Sequence, residues 1–262
     1  MTNQIKGSLV VVGTGISVSG QMTLVTMNHI KQADIVYVAI PNKPGMEFVK
    51  SLNPNTHSLT DLYEQDKPRA HTYKEMMQRI VEKVEAGFNV CAAFYGHPGV
   101  FVDPSHDAIA YLKTQGFKVL MEPGISAEDC LFADLGIDPA TYGCQSYEAT
   151  QFLLRKHTVN PYMTQIIWQA FSVGEFTSAT AFSNQNAFAL LLDKLLNYYP
   201  ASHKAIIYEA RTSPLFATNI EFCALNKLRI EKLNAVSTIV IPSLGLPDYD
   251  LSIIEKLGIN IL

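Results

Sequence analysis

Tyr63, Arg69 and Tyr73 form the first group in this chain whose types and spacing suit chemistry. Arg69 and Tyr73 stand four residues apart in a segment of helical pattern, so their side chains share one face. A guanidinium beside a phenol favours the phenolate and lowers a pKa that is ordinarily about 10. Such a pair serves as a general base or holds a developing oxyanion. The same spacing also serves a surface cation–π or packing contact. A second group follows the apolar run that stops at Tyr95-Gly96-His97-Pro98-Gly99. It sets an aromatic hydroxyl and an imidazole just past a strand's carboxyl end, where open α/β sheets bind ligands. Gly96 and Gly99 permit positive φ or close backbone approach, and Pro98 fixes its own φ. A turn that merely ends a strand accounts for the same residues, with His97 as its internal hydrogen-bonder. Ser126 at a helix start and Gln169 at the end of a later strand face the same crevice if the two halves close on it; Ser126 alone also reads as a cap.

Other chemistries lack their residues. Gly13-Thr14-Gly15 suggests a dinucleotide loop, but Val18 stands where the third glycine belongs, and Asp34 opens the second strand instead of following it. No GxxxxGK[ST] phosphate loop occurs. Cys91, Cys130, Cys144 and Cys223 are dispersed among apolar neighbours, which predicts reduced, mostly buried thiols and no metal spacing. The seven histidines form no HxH or HxxxH pair, so no metal is expected. A formal charge of −4, from 20 basic and 24 acidic residues, gives no nucleic-acid or membrane-surface footprint. No apolar run of spanning length and no signal-peptide core is present, and a cytoplasmic protein is expected.

The elements that must position these residues are legible as periodicity. With 262 residues, 48% of them hydrophobic, the chain can bury one large core or two modest ones. Strand patterns at 9–12, 33–40, 89–94 and 117–121 alternate with helical patterns at 22–31, 69–85 and 104–114, which predicts parallel βαβ units. Ser126 and Asp129 have capping-box spacing for a helix that stops at Gly136. Strand patterns at 165–169, 205–208 and 238–241, with helices at 148–156 and 186–198, are more widely spaced and predict a mixed sheet. Pro123-Gly124 reads as a hinge, dividing an N-terminal α/β domain (1–122) from a C-terminal α/β domain (123–245) and a short tail (246–262).

The opening Val12-Gly13-Thr14-Gly15, Thr23-Leu24 and Ile30-Lys31-Gln32-Ala33-Asp34-Ile35-Val36-Tyr37 resembles the tetrapyrrole methylase superfamily. Gly15-Ile16-Ser17 replaces that superfamily's usual Gly-Pro-Gly, a departure from the porphyrin and corrin members. FYGHPGVF (94–101), PSHDAIA (104–110), PGISAEDCLFADLG (123–136), TYGC (141–144) and IIWQ (166–169) resemble the narrower borosin peptide α-N-methyltransferases, as does the order Tyr63, Arg69, Tyr73. The resemblance implies a two-domain α/β fold with S-adenosylmethionine in the interdomain cleft, S-adenosylhomocysteine as product, and methylation of backbone amides in a ribosomally made peptide. By the same resemblance Tyr73 is the base, Arg69 favours its phenolate, and Tyr63 and Tyr95 donate to the oxyanion. Tyr95, His97, Val100, Phe101, Ser126, Ala127, Gln169, Ala210, Ser237 and Thr238 match the cofactor positions. Fused members carry the peptide behind a helical clasp. The tail DYDLSIIEKLGINIL is too short for both, so the split type is expected, with a separate precursor carrying its own leader. A homodimer, or a heterotetramer with two precursors, is implied. The alternatives are a tetrapyrrole or other small-molecule methyltransferase, a non-catalytic precursor-binding module, and a Rossmann-type oxidoreductase.

Overall fold

The computed structural model describes residues 7–177 and 184–260. Short β-branched runs, each closed by a turn and followed by an amphipathic segment, build the first sheet and its helices. In chain order these are β1 (Ser8–Gly13), α1 (Val18–Gln21), α2 (Leu24–Gln32), β2 (Ile35–Ala39), α3 (Lys43–Leu52), β3 (Thr56–Ser58), α4 (Arg69–Glu85), β4 (Asn89–Phe94), α5 (Asp103–Thr114), β5 (Lys118–Glu122) and α6 (Ala127–Leu135). The strands lie in the order β3-β2-β4-β1-β5, every pair parallel. Side chains alternate across the sheet. Leu9, Val11, Val90, Ala92 and Phe94 meet Met76, Ile80 and Val84 of α4 and Leu112 of α5. Val12, Val36, Val38, Cys91 and Ala93 meet Val18, Ile30 and Val49 on the other side. Burial on both faces is what a parallel sheet requires.

The second sheet is mixed, as its wider spacing predicts. Its elements are α7 (Pro139–Tyr142), β6 (Cys144–Glu148), α8 (Ala149–Leu154), β7 (Thr164–Trp168), α9 (Gln185–Leu196), β8 (Lys204–Glu209), β9 (Asn219–Ala224), β10 (Thr238–Ile241) and α10 (Leu251–Leu257). The strand order is β6-β7-β10-β8-β9, with β6 parallel to β7 and β10 antiparallel to β7 and β8. Ile167, Ile207, Ile239 and Ile241 pack with Phe152, Leu191 and Leu195 as its core.

Two compact units result. One comprises Met1–Gly136, Glu175–Phe182 and Ala210–Asn219; the other comprises Ile137–Gly174, Ser183–Glu209 and Ile220–Leu262. The division falls after Gly136, where turn chemistry alone suggested residues 122–124. No disulfide joins the four cysteines, and only Cys91 is fully buried, a correction to the expectation of mostly buried thiols. No helix among the described residues is long and apolar enough to cross a membrane.

Candidate active site

The carboxyl ends of β1, β4 and β5 meet through glycines. The Thr14 N–H donates to the Phe94 carbonyl at 2.9 Å, and Gly15 and Gly96 exchange backbone hydrogen bonds of 3.2 and 3.1 Å. A Cβ on Gly13 would lie 2.4 Å from the Gly96 oxygen and 2.8 Å from the Gly124 Cα. A Cβ on Gly124 would lie 2.6 Å from the same oxygen. The strand ends therefore form a bare backbone platform that tolerates no side chain at these positions. Gln21 braces the loop above it, its Oε1 accepting from the Ile16 and Ser17 N–H groups at 2.9 and 2.8 Å.

The turn after β4 is held from within. His97 Nδ1 accepts from the Gly99 N–H at 3.0 Å, so in the neutral ring the proton sits on Nε2. The Ser105 hydroxyl donates to the Pro98 and Val102 carbonyls. Phe101 is left-handed at φ 55°, Gln169 at φ 56° and Asp66 at φ 61°, the three such non-glycine residues among those described. Each costs about 1–3 kcal/mol and gathers preferentially at ligand sites. Two of the three belong to the cofactor set expected from sequence.

Tyr63, Tyr73 and Tyr95 line one cavity of about 130 Å³, walled by Met76, Phe94, Phe101 and Val102. Pockets that enclose a whole small-molecule ligand run to roughly 300–1,000 Å³, so this cavity suits a group the size of a peptide unit. A larger, open hollow of about 340 Å³ lies at the opposite edge, beside Ser8, Asn89 and Lys118 where β1, β4 and β5 begin. Ligands of such sheets bind at the carboxyl edge, which favours the smaller cavity. Tyr73 reaches the cavity from the first turns of α4, one turn before Met76. Tyr63 reaches it from the loop before α4. Two ion pairs pin that loop to the helix: Arg79 with Asp61 at 2.9 Å, and Lys67 with Glu75 at 2.5 Å. Arg79 also donates to the Ser58 carbonyl at 3.1 Å and Lys67 to the Leu62 carbonyl at 3.2 Å.

The Tyr63 and Tyr73 hydroxyls neighbour one another at this cavity. Burial pushes Tyr63 well above the ordinary phenol range, although 44% of the residue is accessible, and the neighbouring Tyr73 adds to the rise. Burial also raises Tyr73; the Arg69 charge and the Tyr63 hydroxyl oppose it, while Asp103 adds to it. The expectation that Arg69 brings this phenol below its usual value is corrected: dehydration by the apolar walls outweighs the guanidinium. Tyr95 is pushed up to about 12 by burial, with Cys130 contributing.

The remaining expected residues are distributed as follows. Ser126 closes a complete capping box with Asp129, its hydroxyl accepting from the Asp129 N–H at 3.1 Å and donating to the carboxylate at 2.7 Å. Ala127 opens α6, Val100 is exposed, and Ala210 joins the first unit directly after β8. Gln169, Ser237 and Thr238 belong to the second unit. There Gln169 follows β7, Ser237 Oγ donates to Glu209 at 2.5 Å, and Thr238 opens β10 opposite Tyr208. Sequence reasoning missed Met76, Phe94, Val102 and Asp103. The signal for Met76 was its place three residues beyond Tyr73 on one helical face. No group of three or more His, Cys, Asp or Glu among the described residues is arranged to hold a metal.

The chain thus comprises a parallel-sheet unit with a glycine platform and a mixed-sheet unit. The sequence profile of the Tetrapyrrole (Corrin/Porphyrin) Methylases matches residues 8–220, and the chain belongs to that family. Among curated relatives it is 38% identical to the methyltransferase/ribosomally synthesized cyclic peptide gymnopeptides precursor of Gymnopus fusipes, over 98% of this chain and 62% of that protein. It is 39% identical to the methyltransferase/type I borosin cyclic peptide precursor of Serendipita vermifera, over 98% of this chain and 64% of that protein. It is also 39% identical to the methyltransferase/omphalotin A precursor of Omphalotus olearius, over 96% of this chain and 61% of that one. The chain thus spans somewhat over three fifths of these relatives' length. Uroporphyrin-III-C-methyltransferase from Thermus thermophilus has the same fold, with a TM-score of 0.66 at 14% identity over 97% of this chain and 98% of that one.

Proposed function

We propose that this protein is an S-adenosylmethionine-dependent, borosin-type methyltransferase acting on backbone amide nitrogens of a ribosomally made peptide. The observation that carries the reading is three phenols around one small apolar-walled cavity, with a guanidinium acting on the central one. The relatives whose names join a methyltransferase to a cyclic-peptide precursor supply the substrate class. A tetrapyrrole macrocycle is far larger than a cavity of about 130 Å³, which disfavours such a substrate held whole within it.

Bound S-adenosylmethionine supplies an electrophilic methyl group on a sulfonium and leaves as S-adenosylhomocysteine. The residues proposed to hold it, carried over from the resemblance, are Tyr95, His97, Val100, Phe101, Ser126, Ala127, Gln169, Ala210, Ser237 and Thr238. The fit rests on the platform at Gly13, Gly96 and Gly124, which lets a ligand approach backbone, and on the left-handed backbone at Phe101 and Gln169. An amide nitrogen is a poor nucleophile because its lone pair is delocalised into the carbonyl. The Tyr73 oxygen takes the amide proton as the N–H bond breaks and the N–CH₃ bond forms. Arg69 favours the phenolate that does so. Tyr63 and Tyr95 donate to the carbonyl oxygen as charge grows there. The apolar walls keep water from competing.

Delivery of the peptide as a separate precursor, and assembly as a homodimer or as a heterotetramer with two precursors, complete the proposal. The test is incubation of the chain with S-adenosylmethionine and a free precursor peptide. Formation of S-adenosylhomocysteine with a gain of one CH₂ per event supports it; cofactor binding with no transfer to any peptide supports a binding module instead.

A further inference from the structure

Arg69 is tied at both ends to one three-residue segment. As the first residue of α4, its backbone N–H is one of the amides a helix leaves without an internal partner. That N–H donates to the Phe176 carbonyl at 3.1 Å, beside an antiparallel bridge between Pro68 and Thr177. Its guanidinium Nη2 donates to the Thr177 carbonyl at 3.2 Å. The segment is shaped by Glu175, whose Oε1 accepts from the Thr177 N–H at 2.6 Å and from the Thr177 hydroxyl at 2.7 Å. The two bonds hold the Thr177 N–H and hydroxyl on the Glu175 carboxylate, next to the carbonyl that Arg69 meets.

We infer that Glu175–Thr177 is a positioning strap that fixes the Arg69 guanidinium toward Tyr73, with Glu175 the residue that sets its shape. The inference rests on the proposed role of Tyr73. Tyr73 faces Arg69 on its own helix, Tyr63 from the preceding loop, Tyr95 from the end of β4 and Asp103 from the start of α5. Arg69 is the cation in that set. An arginine has many rotamers, and one that swings into water acts on a phenol only through solvent and salt. The strap removes that freedom without touching the reacting atoms. The carboxylate of Glu175 is held below its usual range by the Thr177 hydrogen bonds, with Arg69 contributing.

Shape and charge separate experimentally. Glu175→Gln keeps an oxygen that accepts both Thr177 bonds, whereas Glu175→Ala removes it. Glu175→Ala is expected to lower kcat for peptide methylation about tenfold, with the KM for S-adenosylmethionine unchanged, and Glu175→Gln to restore it. In an Arg69→Ala background Glu175→Ala is expected to cost nothing more, because its effect passes through Arg69. Equal losses in both backgrounds, or full activity in Glu175→Ala, would overturn the strap. A second readout needs no substrate: the Arg69 guanidinium protons, followed by NMR, exchange slowly in the parent and Glu175→Gln and fast in Glu175→Ala. Identical exchange in all three also overturns it. If the parent turns over no peptide, the methyltransferase reading fails while the exchange measurement still decides the strap. Should Glu175→Ala not fold, Thr177→Val, which loses only the hydroxyl bond, carries both readouts in the same direction.

Discussion

Tyr73 is subject to opposing influences whose balance sets the proposed chemistry. The wall of Met76, Phe94 and Phe101 disfavours its phenolate; Arg69 and the Tyr63 hydroxyl favour it, and the net displacement is upward. A base must be deprotonated to act, so kcat should rise with pH about tenfold per unit below that pKa and level off only above the ordinary phenol range. Arg69→Ala removes the opposing charge, which moves the plateau to higher pH and lowers kcat at any pH below it. A bell centred near neutrality in a stopped-flow or discontinuous assay would contradict this. Tyr73→Phe keeps the ring packing and loses the proton acceptor, so kcat should fall about 10²–10⁴-fold with cofactor affinity by calorimetry unchanged. The Arg69–Tyr73 partnership is legible from a four-residue spacing, as is the capping role of Ser126. The upward direction of the Tyr73 shift is not, because the groups that dehydrate it come from α4, β4 and the 95–102 turn and meet only in the folded chain.

At the scale of elements, the strand ends depend on glycine and the Tyr63 loop on two ion pairs. Gly13→Ala would drive a Cβ to 2.4 Å from the Gly96 oxygen, backbone against backbone with nothing flexible to give way. A loss of about 1–3 kcal/mol or more is expected in urea unfolding. Lys67→Met should lower Tm, since the Lys67–Glu75 pair is largely covered and its loss leaves the Glu75 carboxylate without that partner. It should also lower kcat, because the loop carrying Tyr63 is no longer fastened to Glu75. A Tm drop with kcat intact would show the pair to be structural only. The helix over Arg69–Glu85 and the strands β1, β4 and β10 follow from periodicity because each has a continuous apolar stripe or run. α3 escapes notice because Pro44 and Gly45 interrupt its start, and β3 is only three residues long. β6 and β9, CQSYE and NIEFCA, have no fully buried residue to mark them.

For the whole molecule, the parallel and mixed sheets were legible from the spacing of strand signals, but the division between units was not. Residues 175–177 and 210–219 return to the first unit from far along the chain, a partition that contact and not local turn chemistry decides. The proposed homodimer predicts twice the mass of 29.0 kDa by sedimentation, and a monomer under assay conditions would remove that part of the account. The most direct test of the central claim is complete hydrolysis of a precursor peptide after incubation with S-adenosylmethionine and either the parent chain or Tyr73→Phe, followed by amino-acid identification. The account predicts N-methyl amino acids from the parent and essentially none from Tyr73→Phe. Methyl groups confined to side chains, or equal yields of N-methyl amino acids from both proteins, would contradict it.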